Sequence, residues 1–201
     1  MKELGTKMEK RLLLAMMGGF PSHDTASRLL TATERNLASP PFLPDPILYN
    51  QAGKPVRFFS DLMKGKVVII NMMYTMCKRM CPMNIKRLRE VQTELGDRMG
   101  RDVRIYSLTL RPEEDSSAAL AEYADQYDVG PGWSFLTGRP RDIDSIRRKL
   151  GFFNTDPVVD ADLANHTSAL HIGNVGQDRW MMMPDSSAPA TQVISAINAI
   201  C

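Results

Sequence analysis

Cysteine is almost missing from this chain, with three residues among 201. So few exclude a disulfide-stapled scaffold. Aromatic residues make up only 7%, and histidine occurs three times. No stretch approaches about 18 consecutive apolar residues, so a conventional membrane span is not encoded. An excess of one charge is lacking too: Lys and Arg number 25 against 23 Asp and Glu, a formal net charge of +2 with both signs interspersed. A balance that even does not make a nucleic-acid face, and no nucleic-acid partner is expected. Nor is there a Gly-rich phosphate loop, a Ser-His-Asp set or an HExxH helix. What is present, at 43% hydrophobic and 24% charged residues, is the composition of a globular domain.

The length fits one domain, or one domain plus an arm. Lys2, Lys7, Lys10 and Arg11 precede Leu12-Leu13-Leu14-Ala15-Met16-Met17, the basic-then-apolar order of an export signal. The apolar stretch is short and runs into Gly18-Gly19-Phe20-Pro21 without a clean small-x-small cleavage site. It reads equally as a degenerate signal and as an amphipathic arm. Ser22 to Leu37 suits a helix, and Pro40-Pro41-Phe42-Leu43-Pro44-Asp45-Pro46 suits neither helix nor central strand. The expected division is an arm over 1–44 and a folded domain over 45–201.

Within that domain, Ile47-Leu48-Tyr49 and Val56-Arg57-Phe58-Phe59 should pair as a hairpin. Ser60-Asp61 should cap a helical turn ending at Gly65. Val67-Val68-Ile69-Ile70 shows little alternation, as in a strand buried on both faces. Pro82 is expected to open a helix whose inner side carries Ile85, Leu88, Val91 and Leu95. A second strand over 103–110, a helix capped by Asp115 or Ser116, a strand over 133–136 and a helix over 142–150 follow. Residues 168–172 and 179–183 should form a late hairpin, and 191–200 a final helix. Strands alternating with helices, then a hairpin and a helix, predict an α/β domain with a mixed sheet covered on both faces.

The chemistry concentrates at Cys77-Lys78-Arg79-Met80-Cys81-Pro82, between a buried strand and a helix. Loops at the carboxyl ends of such strands are where open α/β sheets place their sites. Cysteines four apart in a helical turn can bring their sulfurs within reach of each other or of one metal ion. The helix end and the charges of Lys78 and Arg79 should favour thiolate, which is both a redox nucleophile and a soft metal ligand. The spacing alone does not separate metal from redox work, and two small core residues are the plain alternative.

Gly65-Lys66-Val67-Val68-Ile69-Ile70 followed by Tyr74-Thr75-x-Cys77-x-x-x-Cys81-Pro82 resembles the Sco (SCO/SenC) family. Further matches come in order. Pro112-Glu113-Glu114-Asp115 is similar to that family's Asp-Pro-x-Arg-Asp segment, Leu120 to Tyr123 to its Leu-x-x-Tyr helix, and Trp133-Ser134-Phe135-Leu136-Thr137-Gly138 to its Trp-x-Phe-Leu-Thr-Gly strand. Asn165-His166-Thr167 falls where the family carries Asp-His-Ser/Thr. The resemblance spans residues 44 to 200. It implies a thioredoxin-like fold with an extra N-terminal hairpin, and an insertion carrying His166. It also implies a copper site, Cu(I) or Cu(II), held by Cys77, Cys81 and His166. The implied duty is that of a metallochaperone maturing the copper centre of cytochrome c oxidase. The implied partner is the copper-bearing oxidase subunit or another cysteine-containing acceptor. A periplasmic or membrane-associated location goes with it, although this arm is a poor anchor.

The chain departs from that pattern at informative points. Lys78-Arg79 replaces Pro-Asp, which adds cations beside the sulfurs. Asn165 precedes His166 in place of Asp, so no carboxylate would raise the imidazole's basicity. Arg111 and Glu114 stand where the family has Asp and Arg, a swapped ion pair. These changes keep open a thiol-disulfide oxidoreductase, with Cys77 attacking and Cys81 resolving, and a thiol peroxidase or redox sensor. His171 is expected as a hydrogen-bonded strand residue rather than a substitute ligand. Met72, Met73, Met76, Met80, Met83 and Met181-Met182-Met183 are expected mainly as core filler, with Met76 and Met80 as candidate exposed thioethers. Asp160-Ala161-Asp162 is expected in a solvated loop, and Cys201 without a role.

Overall fold

The computed structural model describes residues 43–162, 168–183 and 188–201. They all fall within one unit, Pro40–Cys201. The chain runs β1 (Ile47–Asn50), β2 (Pro55–Arg57), a wide-turned helical segment (Phe58–Met63), β3 (Val67–Met73), α1 (Met80–Leu95), β4 (Val103–Thr109) and α2 (Ser117–Gln126). It continues through β5 (Trp133–Thr137), α3 (Pro140–Lys149), the single-turn α4 (Pro157–Ala161), β6 (Leu170–Asn174), β7 (Arg179–Met183) and α5 (Ala190–Ile200). The strands form one seven-stranded sheet in the order β2-β1-β5-β4-β3-β6-β7.

The β-branched run makes β3 the hub. It pairs parallel with β4, Ile69 opposite Ile105, and antiparallel with β6, Ile69 opposite Ile172. Val68, Ile69 and Ile70 are fully buried, as their lack of alternation requires of a strand covered on both faces. β4 and β5 are also parallel, and their connections need crossover helices, which α1 and α2 supply. The β1–β2 hairpin joins the sheet antiparallel to β5, and the β6–β7 hairpin closes the other edge. Both expected hairpins form, but Phe58 and Phe59 belong to the helical segment rather than to β2, and β6 runs from Leu170 to Asn174 rather than over 168–172, so the late turn is residues 175–178.

Two apolar layers sandwich the sheet. One holds Ile69, Met73, Ile105 and Phe135 of the strands against Ile85, Leu88, Val91 and Leu95 of α1, Leu120 of α2, and Val193 and Ile197 of α5. The other holds Val68, Ile70, Met72 and Leu108 against Phe58 and Met63, Ile143 and Ile146 of α3, and Phe152. The four inward residues foreseen for α1 are all buried.

Several boundaries differ from expectation for local reasons. α1 begins at Met80, two residues before Pro82, so the proline lies within the first turn, where its missing N–H costs no helical bond. The turn after β2 begins at Phe58, ahead of Ser60, because the Asp45 carboxylate accepts from the amides of Phe59 and Ser60. α3 starts at Pro140 rather than Asp142, with proline in the first turn. Asp160 lies in α4 rather than in a solvated loop; its side chain is 9% exposed and holds Arg147. Among the described residues, no helix is long and apolar enough to cross a membrane.

Candidate functional site

β3 and β4 run parallel, so the loops that follow them emerge side by side at one end of the sheet. β6 is antiparallel to β3, which puts its first residue, Leu170, at that same end. The loop after β3 carries Cys77, and the first turn of α1 carries Cys81. Both are free thiols packed in the α1–α5 layer, 7% and 1% exposed.

Their setting is asymmetric. Cys77 lies before the helix, and its Sγ accepts from the Cys81 backbone N–H at 3.5 Å. That amide is one of the donors a helix N-terminus leaves unpaired. Burial alone would raise the pKa of Cys77. Hydrogen bonds from the Cys81 thiol, from the Cys81 and Arg79 amides and from the Tyr74 hydroxyl outweigh it, and the thiol ends below its ordinary value of 9.0. Cys81 goes the other way, pushed well above that value by burial and then by the neighbouring Cys77 sulfur. The leading cause of thiolate at Cys77 is therefore hydrogen bonding. Of the two causes expected from the sequence, the helix end contributes through the Cys81 amide, whereas the charges of Lys78 and Arg79, whose side chains are solvent-exposed, are not among the leading causes.

Two residues that the sequence reading gave no part in the site brace this loop. The first is Tyr74, which hydrogen-bonds Cys77 and whose ring lies under the Arg111 guanidinium at 5.2 Å. The second is Asp115, 1% exposed, which accepts from the Thr75 amide at 3.2 Å and from the hydroxyls of Thr75 and Thr109. Asp115 is thus no helix cap; Ser116 caps α2, its hydroxyl accepting from the Ala119 N–H at 3.2 Å. The clue lay in sequence, since a carboxylate buried beside the end of β4 needs donors, but only the fold shows them arriving from the β3 loop. Arg111 and Glu114 do form an ion pair, at 2.7 Å.

His166 lies outside the described residues, as does Asn165. Among the described residues no group of three or more His, Cys, Asp or Glu converges as a metal site. His171 is on the opposite sheet face from the cysteines, packed on Phe152 with ring centroids 4.6 Å apart, while its strand neighbours Leu170 and Ile172 join the cysteine layer. Its Nε2 is buried with no hydrogen-bond partner among the described residues, contrary to the expected bonded strand histidine. Burial lowers its pKa to about 4. The methionines divide. Met72, Met73 and Met183 are buried filler; of the two expected exposed thioethers Met76 is 63% exposed but Met80 is half-buried, Met83 being 58% exposed instead, and Met181 and Met182 are exposed on β7. Cys201 is exposed at the C-terminus. A separate open cleft of about 490 Å³ is lined by Arg147, Phe153, Asn154 and Asp160.

A mixed sheet with a cysteine pair at the start of its first crossover helix defines a thioredoxin-like protein with a thiol site. The SCO1/SenC family model matches residues 31–201, and the chain belongs to that family. The SCO1 protein homolog of Bacillus subtilis is 34% identical over 90 residues, which is 44% of this chain and 45% of that protein. The chain thus spans less than half the length of that relative. Among solved structures, copper-bound ScoI of Bradyrhizobium japonicum superposes with a TM-score of 0.62 at 23% identity, over 79% of this chain and 99% of ScoI. BsSco, a member of the Sco family of cytochrome c oxidase assembly proteins, superposes with a TM-score of 0.64 at 24% identity, over 78% of this chain and 91% of BsSco. At these identities the superpositions show the fold.

Proposed function

We propose that this protein carries copper as cargo and serves the assembly of the copper centre of cytochrome c oxidase, holding the ion through Cys77, Cys81 and His166. The observation that carries the reading is the sulfur pair at the sheet end. One thiol is already biased to thiolate, and a second sulfur is within hydrogen-bond reach of it. Two sulfurs suit Cu(I), and an added imidazole lets the same site hold Cu(II). A structural zinc would want four protein ligands, and the described residues supply only the two thiols. Membership of the family and the copper-bound relative support the choice of metal. An open trigonal site suits hand-over, because an acceptor's thiolate can displace ligands one at a time. On this reading the protein works outside the cytoplasm, on the periplasmic side.

A second reading, thiol-disulfide exchange on a partner's cysteines, is favoured by the split between the two thiols. Exchange needs a thiolate to attack and a resolving thiol held in reserve. Cys77 and Cys81 have those characters, respectively. The two duties are compatible, since a cysteine-bearing copper acceptor must be reduced before it is loaded.

Anaerobic Cu(I) titration of the reduced protein separates the readings, with Cys77→Ala, Cys81→Ala and His166→Ala beside it. One copper per chain with two sulfurs and one nitrogen by X-ray absorption, altered in each variant, is the expected result. Copper bound equally well by His166→Ala would remove His166 from the ligand set. No tight copper, with a readily cycled Cys77–Cys81 disulfide, would leave exchange as the function.

A further inference from the structure

The surface around the cysteine pair carries charge that the buried site does not use. Arg79, Met83 and Lys86 recur at helical spacing along one stripe of the α1 entrance and are all exposed, while Cys81, Asn84, Ile85 and Leu88 face inward. Lys78, next to Cys77, is exposed as well. The first turn of α1 holds no acidic residue. Among the described residues, Lys78, Arg79 and Lys86 make no ion pair, although neighbouring cations do: Arg87 takes Glu90, Arg89 takes Asp128, and Arg111 takes Glu114. Glu90, Asp128 and Glu114 are thus already engaged, and of the carboxylates without an ion pair among the described residues, neither Glu94 near the far end of α1 nor Glu113 on the loop after β4 takes any of these three cations. Two large apolar side chains, Met76 and Met83, stand out to solvent within the same stretch. Their neighbours Met72 and Met73, of the same residue type, are buried, so exposure here follows from position.

We propose that Lys78, Arg79 and Lys86, with Met76 and Met83, form a docking collar for an acidic, cysteine-bearing segment of a protein partner. This rests on the reading of Cys77 and Cys81 as a transfer or exchange site. The cations draw in a segment whose own carboxylates flank its cysteine, and the thioethers cover its apolar side chain. Facing charges of opposite sign speed encounter and reject like-charged partners more than they deepen affinity. The collar thereby selects which cysteine reaches a sulfur that is itself nearly buried.

The test uses three peptides of equal length, each with one cysteine capped as a 2-pyridyl disulfide and flanked by acidic, neutral or basic residues. The Cys77 thiolate attacks the peptide sulfur, the peptide–pyridyl S–S bond breaks, and 2-thiopyridone leaves and is read by absorbance. Cys81 then displaces the peptide thiol to give the Cys77–Cys81 disulfide, so the peptide disulfide is the oxidant throughout. The wild-type protein should react ~10-fold or more faster with the acidic than with the basic peptide at low ionic strength, and the ratio should fall towards one at about 0.5 M salt. Lys78→Glu with Arg79→Glu should invert the ratio, and Lys78→Gln with Arg79→Gln should bring it close to one. Both side chains are exposed and make no ion pair among the described residues, so neither variant removes a contact seen there. The neutral peptide, compared between the wild-type protein and Cys77→Ser, reports the reactivity of Cys77 apart from docking and from the exposed Cys201 thiol. Reaction with it, joined to a wild-type ratio of one at low salt, overturns the collar and leaves the site standing. Reaction with none of the three overturns the exchange reading, and the collar falls with it.

Discussion

The Asp115 carboxylate accepts the Thr75 amide at 3.2 Å, tying the loop after β4 to the loop after β3 two residues before Cys77. The Thr75 and Thr109 hydroxyls donate to the same buried group. Every partner here is a donor, so the carboxylate cannot be exchanged freely. Asp115→Asn presents an N–H₂ where an acceptor is needed and should cost about 2 kcal/mol in urea unfolding. It should also weaken Cu(I) binding, because the Cys77 loop loses its brace. Wild-type copper affinity in a destabilised Asp115→Asn would show that the loop holds its shape without this contact.

The unlike thiols lead to a second expectation. Alkylation of Cys77 by iodoacetamide should follow a pH profile with its midpoint below the ordinary thiol value of 9.0, while Cys81 stays unreactive to well above it. The sign follows from the reactive species: thiolate at Cys77 is favoured by donors to its sulfur, and at Cys81 it is opposed by burial and by the Cys77 sulfur. Tyr74→Phe removes one of those donors and should move the Cys77 midpoint upward. Mass mapping of the alkylated protein across pH distinguishes the sites. A midpoint unchanged by Tyr74→Phe would show that the Cys81 thiol and the backbone amides hold the sulfur without the Tyr74 hydroxyl.

Much of this arrangement was legible in the residues. The continuous β-branched run of 67–70 identified the central strand, the 85-88-91-95 spacing gave the inner face of α1, and the two apolar runs around 168–172 and 179–183 located the late hairpin to within two residues. The cysteine spacing located the site. Other features were hidden, because they depend on which loops the sheet order makes neighbours. Asp115 looked like a cap because Ser116 follows it and either residue type can cap; only the β3–β4 adjacency turns it towards Thr75. Asp160 looked solvated because its partner Arg147 is distant in sequence. His171 looked like a bonded strand histidine, since nothing in an alternating strand says that Phe152 will cover its ring.

His171 makes folding itself pH-dependent. Its pKa is lowered to about 4 by burial, against an ordinary value of 6.5. Between those two values the unfolded chain takes up a proton that the folded one refuses, so stability should fall as the pH drops from 6.5 to 4. Above 6.5 the residue adds no pH dependence. The loss, about 2 to 3 kcal/mol from this group, should disappear in His171→Phe, which keeps an aromatic ring against Phe152 and cannot protonate. Denaturant unfolding of both proteins across that range reads the difference. Parallel curves would show that the imidazole gains a partner as it charges.

Arg147 ties α3 to α4 through Asp160, with contacts of 2.6 and 2.8 Å from its two terminal nitrogens to the two carboxylate oxygens. The carboxylate also accepts from Arg148 and from the Asn154 amide. The Arg147 hydrogen bonds, against some opposing burial, hold the Asp160 carboxyl well below the usual carboxylate range. Arg147 and Asp160 side chains are 13% and 9% exposed, so solvent screens them less than a surface pair. Asp160→Asn should therefore cost about 3 kcal/mol, much of it from leaving the Arg147 charge without its bidentate partner. Because the folded pKa is depressed, the wild-type advantage should be complete above about pH 4, the unfolded value, and fade as the pH falls further through the folded one. Comparing unfolding midpoints of the two proteins at pH 7 and pH 2.5 measures it. A gap of the same size at both pH values would assign the cost to packing around α4 rather than to the charge on Asp160.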